Sequence, residues 1–166
     1  MHRFVEERFD GDRPSHHRLE FTGIQQIEEN MRRLDESSNG SFPHSNMSSQ
    51  EAGTIYLLHY DTLRMFRTAL ITMWELEFST DGDFMSNLTD MMRCIHIPVK
   101  RLEILVERHP CNTESSFNNF RVQFETTSSG QECSETCLHR QSYHILEKFD
   151  YFLRRAENTF SSIIFT

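Results

Sequence analysis

The segment "SQEAGTIYLLHYDTLRMFRTALITMWELEF", residues 49–78, decides the fold class of this chain. Its apolar side chains return at spacings of three and four residues, as at Phe66 and Leu70, which is typical of one face of an α-helix. Ser48 and Glu51 stand three residues apart just before the apolar run, in the pattern of a capping box. The segment therefore predicts a long amphipathic helix that begins next to Ser48.

Three further segments show the same helical spacing of apolar residues, and they cover residues 21–36, 83–108 and 138–163. Pro98 lies inside the second of these segments. Because proline cannot donate a backbone hydrogen bond, it predicts a kink or a restart of the helix there. Each of the four predicted helices has one apolar stripe and one polar face, as helices that pack together do. The sequence thus predicts an all-α protein.

The links between the predicted helices indicate how they are connected. The second and third helices are separated only by "STDGD", with Asp81 or Asp83 as the predicted N-cap, so they should be antiparallel neighbours. The other two links are long enough for crossovers and permit an up-up-down-down four-helix bundle. In the last link, "NFRVQFET", residues 119–126, alternates apolar and polar side chains and predicts a short β segment. Residues 1–20 are predicted to form a loose arm before one domain of residues 21–166.

The chain is acidic, with a formal net charge of −8 over 166 residues. Binding to nucleic acid or to an anionic membrane surface needs a basic footprint, and since no long run of Lys and Arg is present, neither partner is predicted. No segment reaches the roughly 18 apolar residues of a membrane span. Residues 1–20 lack the apolar core of a signal peptide, so the chain is predicted to be cytosolic or a mature segment of a secreted protein.

Four cysteines and three glycosylation sequons bear on the compartment. The cysteines are Cys94, Cys111, Cys133 and Cys137, and the sequon asparagines are Asn39, Asn46 and Asn87. An even number of cysteines together with sequons favours a secreted protein with disulfides. Cys94 and Cys111 lie on or beside one predicted helix, about 25 Å apart along its axis if it is straight, so each is expected to pair with one of the other two, in an order left open. A zinc site, a redox pair and buried free thiols are the alternatives.

The sequence contains no recognisable catalytic set. It has no glycine-rich phosphate loop, no HExxH motif and no GxSxG motif. The carboxylates of residues 75–83 fall at helix ends, where acidic side chains cap helices and meet solvent. The methionines fall mostly on the apolar stripes, where they fill a core. We therefore predict neither an enzyme nor a bound cofactor or metal.

Several short motifs resemble helical cytokines, and most of all the interferons among the class II helical cytokines. "EAGTIYLLHYDTLRMFR", residues 51–67, is similar to the second helix of type I interferons, and Trp74 follows where that family often has a tryptophan. "CLHRQSYHILEKFDYFLRRA", residues 137–156, resembles their last helix, with a cysteine at its start and an aromatic pair near its end. "SFP", residues 41–43, resembles a loop element that precedes the second helix.

This resemblance implies a secreted monomer that bridges two different cell-surface receptor chains and triggers kinase signalling in antiviral or immune defence. It also implies that the tighter receptor-binding face uses the first helix, the link after it and the last helix. The exposed charged candidates on that face are Glu29, Arg32, Arg33, Lys148 and Arg155.

Departures from the interferon pattern keep other functions open. Interferons carry cysteines in their first helix region, which this chain lacks, and the strand pattern of residues 119–126 and the tail "SSIIFT" look more like short-chain interleukins of the common-gamma-chain group. From a different class, an intracellular helical adaptor such as a viral apoptosis-regulator-like bundle is favoured by the acidic charge and the missing signal-peptide pattern. A metal-dependent helical enzyme is favoured only by the nine histidines.

Overall fold

The computed structural model describes residues 23–38, 47–79, 83–124, 127–128, 131–132 and 135–164, and within them the chain forms a four-helix bundle. The α-helices are α1 (Ile24–Ser38), α2 (Ser49–Ser79), α3 (Met85–Arg108) and α4 (Glu135–Ile164). The link between α3 and α4 contains a 3₁₀ helix, Ser116–Asn119, and two two-residue strands, β1 (Thr127–Ser128) and β2 (Gln131–Glu132), which pair antiparallel. The predicted arm, residues 1–20, lies outside the described residues.

The long helix α2 occupies the centre of the bundle. It contacts each of the other three α-helices, and between Ile55 and Leu63 buried side chains cover most of its circumference. Its first turn forms the predicted capping box: the Ser48 amide donates to the Glu51 carboxylate over 2.8 Å, and the Glu51 amide donates to Ser48 Oγ over 3.2 Å. The Ser48 amide and then the Ser48 hydroxyl, which also donates to the Glu51 carboxylate over 2.8 Å, lower the pKa of Glu51. The start of α2 is therefore confirmed in position and in mechanism.

Two ion pairs show that α1 and α4 run in the same direction. Lys148 Nζ lies 2.8 Å from the Glu28 carboxylate, and about two turns further along both helices Arg155 Nε lies 2.5 Å from the Asp35 carboxylate. Residue numbers thus increase together along the two helices. Helix α1 packs beside α2 and at the same time places Glu28 and Asp35 against α4. This position of α1 does not require a long link to α2.

Ring contacts show that α2 runs opposite to α4. The rings of Phe66 and Phe149 are 5.0 Å apart, and further down α2 the ring of His59 lies 5.7 Å from that of Phe152. As residue numbers fall along α2 they rise along α4. At the far end of α3, Ser49 Oγ lies 3.0 Å from His109 Nδ1, so α2 and α3 are antiparallel as well.

The predicted up-up-down-down order differs from these contacts. That order requires the first two helices to be parallel and the last two to run opposite to them, whereas here α2 alone opposes α1, α3 and α4. The link lengths explain the difference: ten residues separate α1 from α2, which suits antiparallel neighbours, while 26 residues separate the parallel helices α3 and α4.

Three local predictions about α3 and the link after it need correction. The N-cap of α3 is Phe84 and makes no side-chain cap, so Asp83 does not cap it, and Asp81 lies outside the described residues. The helix continues through Pro98, so the predicted restart does not occur there, and the alternative of a kink stays a prediction. The alternation predicted as a strand does bury Phe120 and Phe124, but this stretch pairs with no neighbouring strand of the described chain beyond an isolated bridge. Its described residues 120–124 instead pack Phe120 and Phe124 into the helical core.

A buried polar cluster attaches the 3₁₀ helix to the bundle. Asp61 on α2 is fully buried, and its carboxylate accepts hydrogen bonds from Ser115 Oγ at 2.9 Å and from the Ser116 amide at 2.7 Å. From α1, Asn30 donates to Ser116 Oγ over 2.8 Å, and Gln26 donates to the Ser116 carbonyl over 2.6 Å. The long link is thereby held against α1 and α2 early in its course.

Candidate functional site

An apolar groove runs between α3 and α4, with α2 as its floor. Its volume is about 1160 Å³. The side chains that form it are mostly aliphatic and aromatic, including Leu63 of α2, Met91, Cys94 and Leu102 of α3, and Phe149 and Leu153 of α4. This volume is slightly above the range of about 300–1,000 Å³ that is typical of small-molecule ligand sites.

The groove exists because α3 and α4 both pack on α2 and hardly touch each other among the described residues. In a closed four-helix bundle the side chains of neighbouring helices interdigitate along this seam. Here three large apolar side chains remain exposed along it instead: Ile97 is 59% exposed, Ile104 is 47% exposed and Leu153 is 43% exposed. Contiguous exposed apolar surface of this kind marks interaction sites in proteins.

The charged side chains along the groove are unevenly distributed. On α3 the groove is bordered by Arg101 and Arg108 at one end and by Asp90 towards the other, while α4 contributes Glu157. Asp90 lies 3.6 Å from Arg93, whose side chain does not line the groove. The α3 edge is thus basic along its C-terminal half.

The five predicted receptor-binding residues lie on α1 and α4, and none of them lines the groove. Glu29 and Arg32 form an exposed ion pair at 2.6 Å, and Arg32 also contacts Glu36. This pairing lowers the pKa of Glu29 and raises that of Arg32. Arg33 is half-buried on the same helix.

Lys148 and Arg155 have a different environment from the exposed charges of α1. Both reach across from α4 to carboxylates of α1, Glu28 and Asp35, in the ion pairs that show the direction of the two helices. The structure therefore gives these two residues partners within the chain. Whether any of the five binds a receptor stays a prediction.

The predicted disulfides of Cys94 and Cys111 are wrong, because both residues carry free thiols. Cys94 is exposed on the wall of the groove, and Cys111 lies half-buried against Gly53 at the start of α2. Cys137 is disulfide-bonded, and neither of these thiols is its partner. Cys133 lies outside the described residues. The predicted staples between α3 and the start of α4 are therefore absent from the bundle.

Of the three sequon asparagines, only Asn87 lies among the described residues. It is half-buried in the first turn of α3 and lines the groove, and the hydroxyl of Thr89 in the same sequon donates to the Met85 carbonyl over 2.8 Å. Asn39 and Asn46 lie outside the described residues.

His59 on α2 is a buried histidine whose pKa is strongly lowered. It is buried beside Phe152, and burial, followed by the charge of Arg155, lowers its pKa to about 3. Among the described residues no group of three or more His, Cys, Asp and Glu side chains could hold a metal ion. No helix within the described ranges has an apolar stretch that could span a lipid bilayer.

Comparison with known proteins gives no relative: no family model, curated protein or solved structure matches the chain. The groove itself was missed by the sequence analysis, which assigned the main apolar stripe of 83–108 to the core. A usable signal was present in Ile97 and Ile104, two isoleucines seven residues apart that fall outside that stripe.

Proposed function

We propose that this protein is a helical adaptor that binds an amphipathic α-helix of a partner protein in the groove between α3 and α4. The observation that carries the proposal is the open seam itself, with Ile97, Ile104 and Leu153 exposed along it. Burying such side chains against a partner is favourable in proportion to the apolar area removed from water.

The dimensions of the groove favour a helix as the occupant. The α4 residues that line it run from Leu146 to Glu157, a length of about 17 Å at the helical rise per residue. A partner helix of about three turns fills that length, and its apolar residues at i, i+3, i+4 and i+7 would meet the floor and both walls. Mixed charges at the edges match the polar flanks of such a helix.

The receptor-bridging cytokine implied by the sequence resemblance remains the second candidate. It is supported by the motifs in residues 51–67 and 137–156 and by the predicted charged face on α1 and α4. We place it second because the order of helix directions and the free thiols of Cys94 and Cys111 differ from the bundle order and the disulfides that the sequence predicted.

The test uses the full chain and two fluorescent model peptides of about 14 residues with the same composition, one with leucines on a single helical face and one with the leucines scattered. We expect the single-face peptide to bind by fluorescence anisotropy and the scattered peptide to bind at least tenfold more weakly. Ile97→Glu and Leu153→Glu should each weaken the single-face peptide, because each places a charge in the groove.

The matched control is Ile71→Glu, on an exposed face of α2 outside the groove. It should leave the affinity for the single-face peptide unchanged. Equal binding of the two peptides, or equal loss in Ile71→Glu and Ile97→Glu, would show that the groove is not the site. A signalling response of cells to purified protein that survives Ile97→Glu and Leu153→Glu would favour the cytokine in its place.

A further inference from the structure

Two arginines on the α3 edge of the groove differ from the other cations of that helix. Lys100 lies 2.7 Å from Glu103, and Arg93 lies 3.6 Å from Asp90. Arg101 and Arg108, the two that line the groove, are exposed and make no ion pair within the part of the chain that the structure describes. The α3 cations that point away from the groove therefore have acidic partners, and those beside it do not.

The spacing of these arginines matches a helical ligand. Arg101 and Arg108 are seven residues apart, which is about two turns and about 10 Å along α3. A helix lying beside α3 repeats its own side chains at that interval on one flank. A compact anion such as phosphate would need cations gathered around one point, whereas these are separated by an apolar stretch that contains Ile104 and Leu105.

We infer that the partner helix carries acidic side chains on the flank that faces α3, at positions seven residues apart, which pair with Arg101 and Arg108. This inference rests on the proposed helix-binding function and names the chemistry of the partner. The opposite flank of the partner faces α4, where Glu157 borders the groove, and favours a basic or neutral residue. The chain has a net charge of −8, so most of its surface repels an acidic partner. The basic edge formed by Arg101 and Arg108 would attract such a partner locally.

The experiment uses three peptides of about 14 residues that share one leucine face and differ only at two flank positions seven residues apart, occupied by Glu, Gln or Lys. We expect the affinity of the wild-type chain to fall in that order, with about tenfold between the Glu and Lys peptides from two partly desolvated pairs. The difference should shrink at high salt, where such pairs are screened.

The variants identify the cations responsible. The double variant Arg101→Glu and Arg108→Glu should invert the order of the three peptides. Arg93→Glu, on the same helix but outside the groove, should preserve the wild-type order. Circular dichroism and melting temperature confirm that each variant is folded before its affinities are compared.

Each other outcome has a distinct meaning. If no peptide binds the wild-type chain, the proposed function fails and this inference fails with it. If the three peptides bind equally well, the groove takes a helix but the acidic-flank inference is overturned. If oleate displaces every peptide and loses its own affinity in Arg101→Glu, the arginines bind a fatty-acid carboxylate, and the inference is likewise overturned.

Discussion

The rings of Phe66 on α2 and Phe149 on α4 lie 5.0 Å apart at a tilt of 46°, and both side chains are buried. Phe149→Ala should therefore leave a cavity beside Phe66 and lower the free energy of unfolding by about 3–5 kcal/mol in a denaturant titration. Leu153→Ala, one turn further along α4 at an exposed position, should change it by about 0.5 kcal/mol or less. Equal effects would show that the face of α4 is assigned wrongly.

Substitution of Gly53, in the first turns of α2, tests whether α2 contacts the end of α3, because the two possibilities predict stability changes of opposite sign. A Cβ at this position would collide with the carbonyl oxygen of His109 and crowd Cys111. Helix propensity alone predicts that Gly53→Ala stabilises the protein by about 1 kcal/mol. We expect the collision to reverse this sign and destabilise by about 1–3 kcal/mol, while Gln50→Ala at an exposed neighbouring position has little effect. A gain in stability for Gly53→Ala would mean that α2 and the end of α3 are not in contact.

The buried His59 predicts a pH dependence of stability. Its pKa is about 3 in the folded chain because burial, and then Arg155, disfavour the imidazolium, whereas the unfolded side chain has a pKa near 6.5. Between these values only the unfolded state binds the proton, so the stability present above pH 6.5 is lost as the pH falls towards 3. The slope contributed by this residue is about 1.4 kcal/mol per pH unit at most.

The measurement is the free energy of unfolding between pH 7.5 and pH 5 for the wild type and two variants. His59→Gln should flatten the decline over this range, although it also lowers stability at every pH. His96→Gln, an exposed histidine on α3, should retain the wild-type slope. If the free energy of unfolding falls with pH at the same rate in all three proteins, titratable groups other than His59 cause the loss of stability.

The free thiols of Cys94 and Cys111 can be counted directly. Native protein prepared without reductant should be alkylated at both positions, with the exposed Cys94 reacting first, and peptide mapping identifies the modified residues. Cys94→Ser should shift the free energy of unfolding by about 0.5 kcal/mol or less. A native disulfide at this position would instead make its removal cost about 2–5 kcal/mol, and a mapped bridge from Cys94 would contradict the structure.

Helix positions were predictable from the sequence because they depend on local periodicity and capping. The helix predicted at 49–78 begins and ends within one residue of α2, and its capping box forms as Ser48 and Glu51 indicated. The burial of Phe120 and Phe124 was also correctly indicated by alternation. The predicted β conformation of their backbone was not confirmed, because a strand needs a neighbouring strand for its hydrogen bonds and alternation does not show whether one is present.

Helix direction and the groove were not predictable in the same way. Whether a link of a given length crosses the bundle depends on which helices it joins, and contacts such as Asp35 with Arg155 are invisible in a single sequence. The groove depends on the near absence of packing between the described parts of α3 and α4, and each has a normal amphipathic stripe that packs on α2. Ile97 and Ile104 were the local evidence of a second apolar surface.

The 26-residue link before α4 has a consequence for the order in which the molecule assembles. Helices α1, α2 and α3 can meet through short links, whereas α4 must first overcome the entropy of closing a long loop, although Asp61 and Ser116 shorten that loop once they pair. We therefore expect α4 to dock last and to open first, with its amides exchanging with solvent deuterium before those of α2. The two walls of the groove would then form at different times, so each transient release of α4 would remove the binding surface while the other three helices stay together.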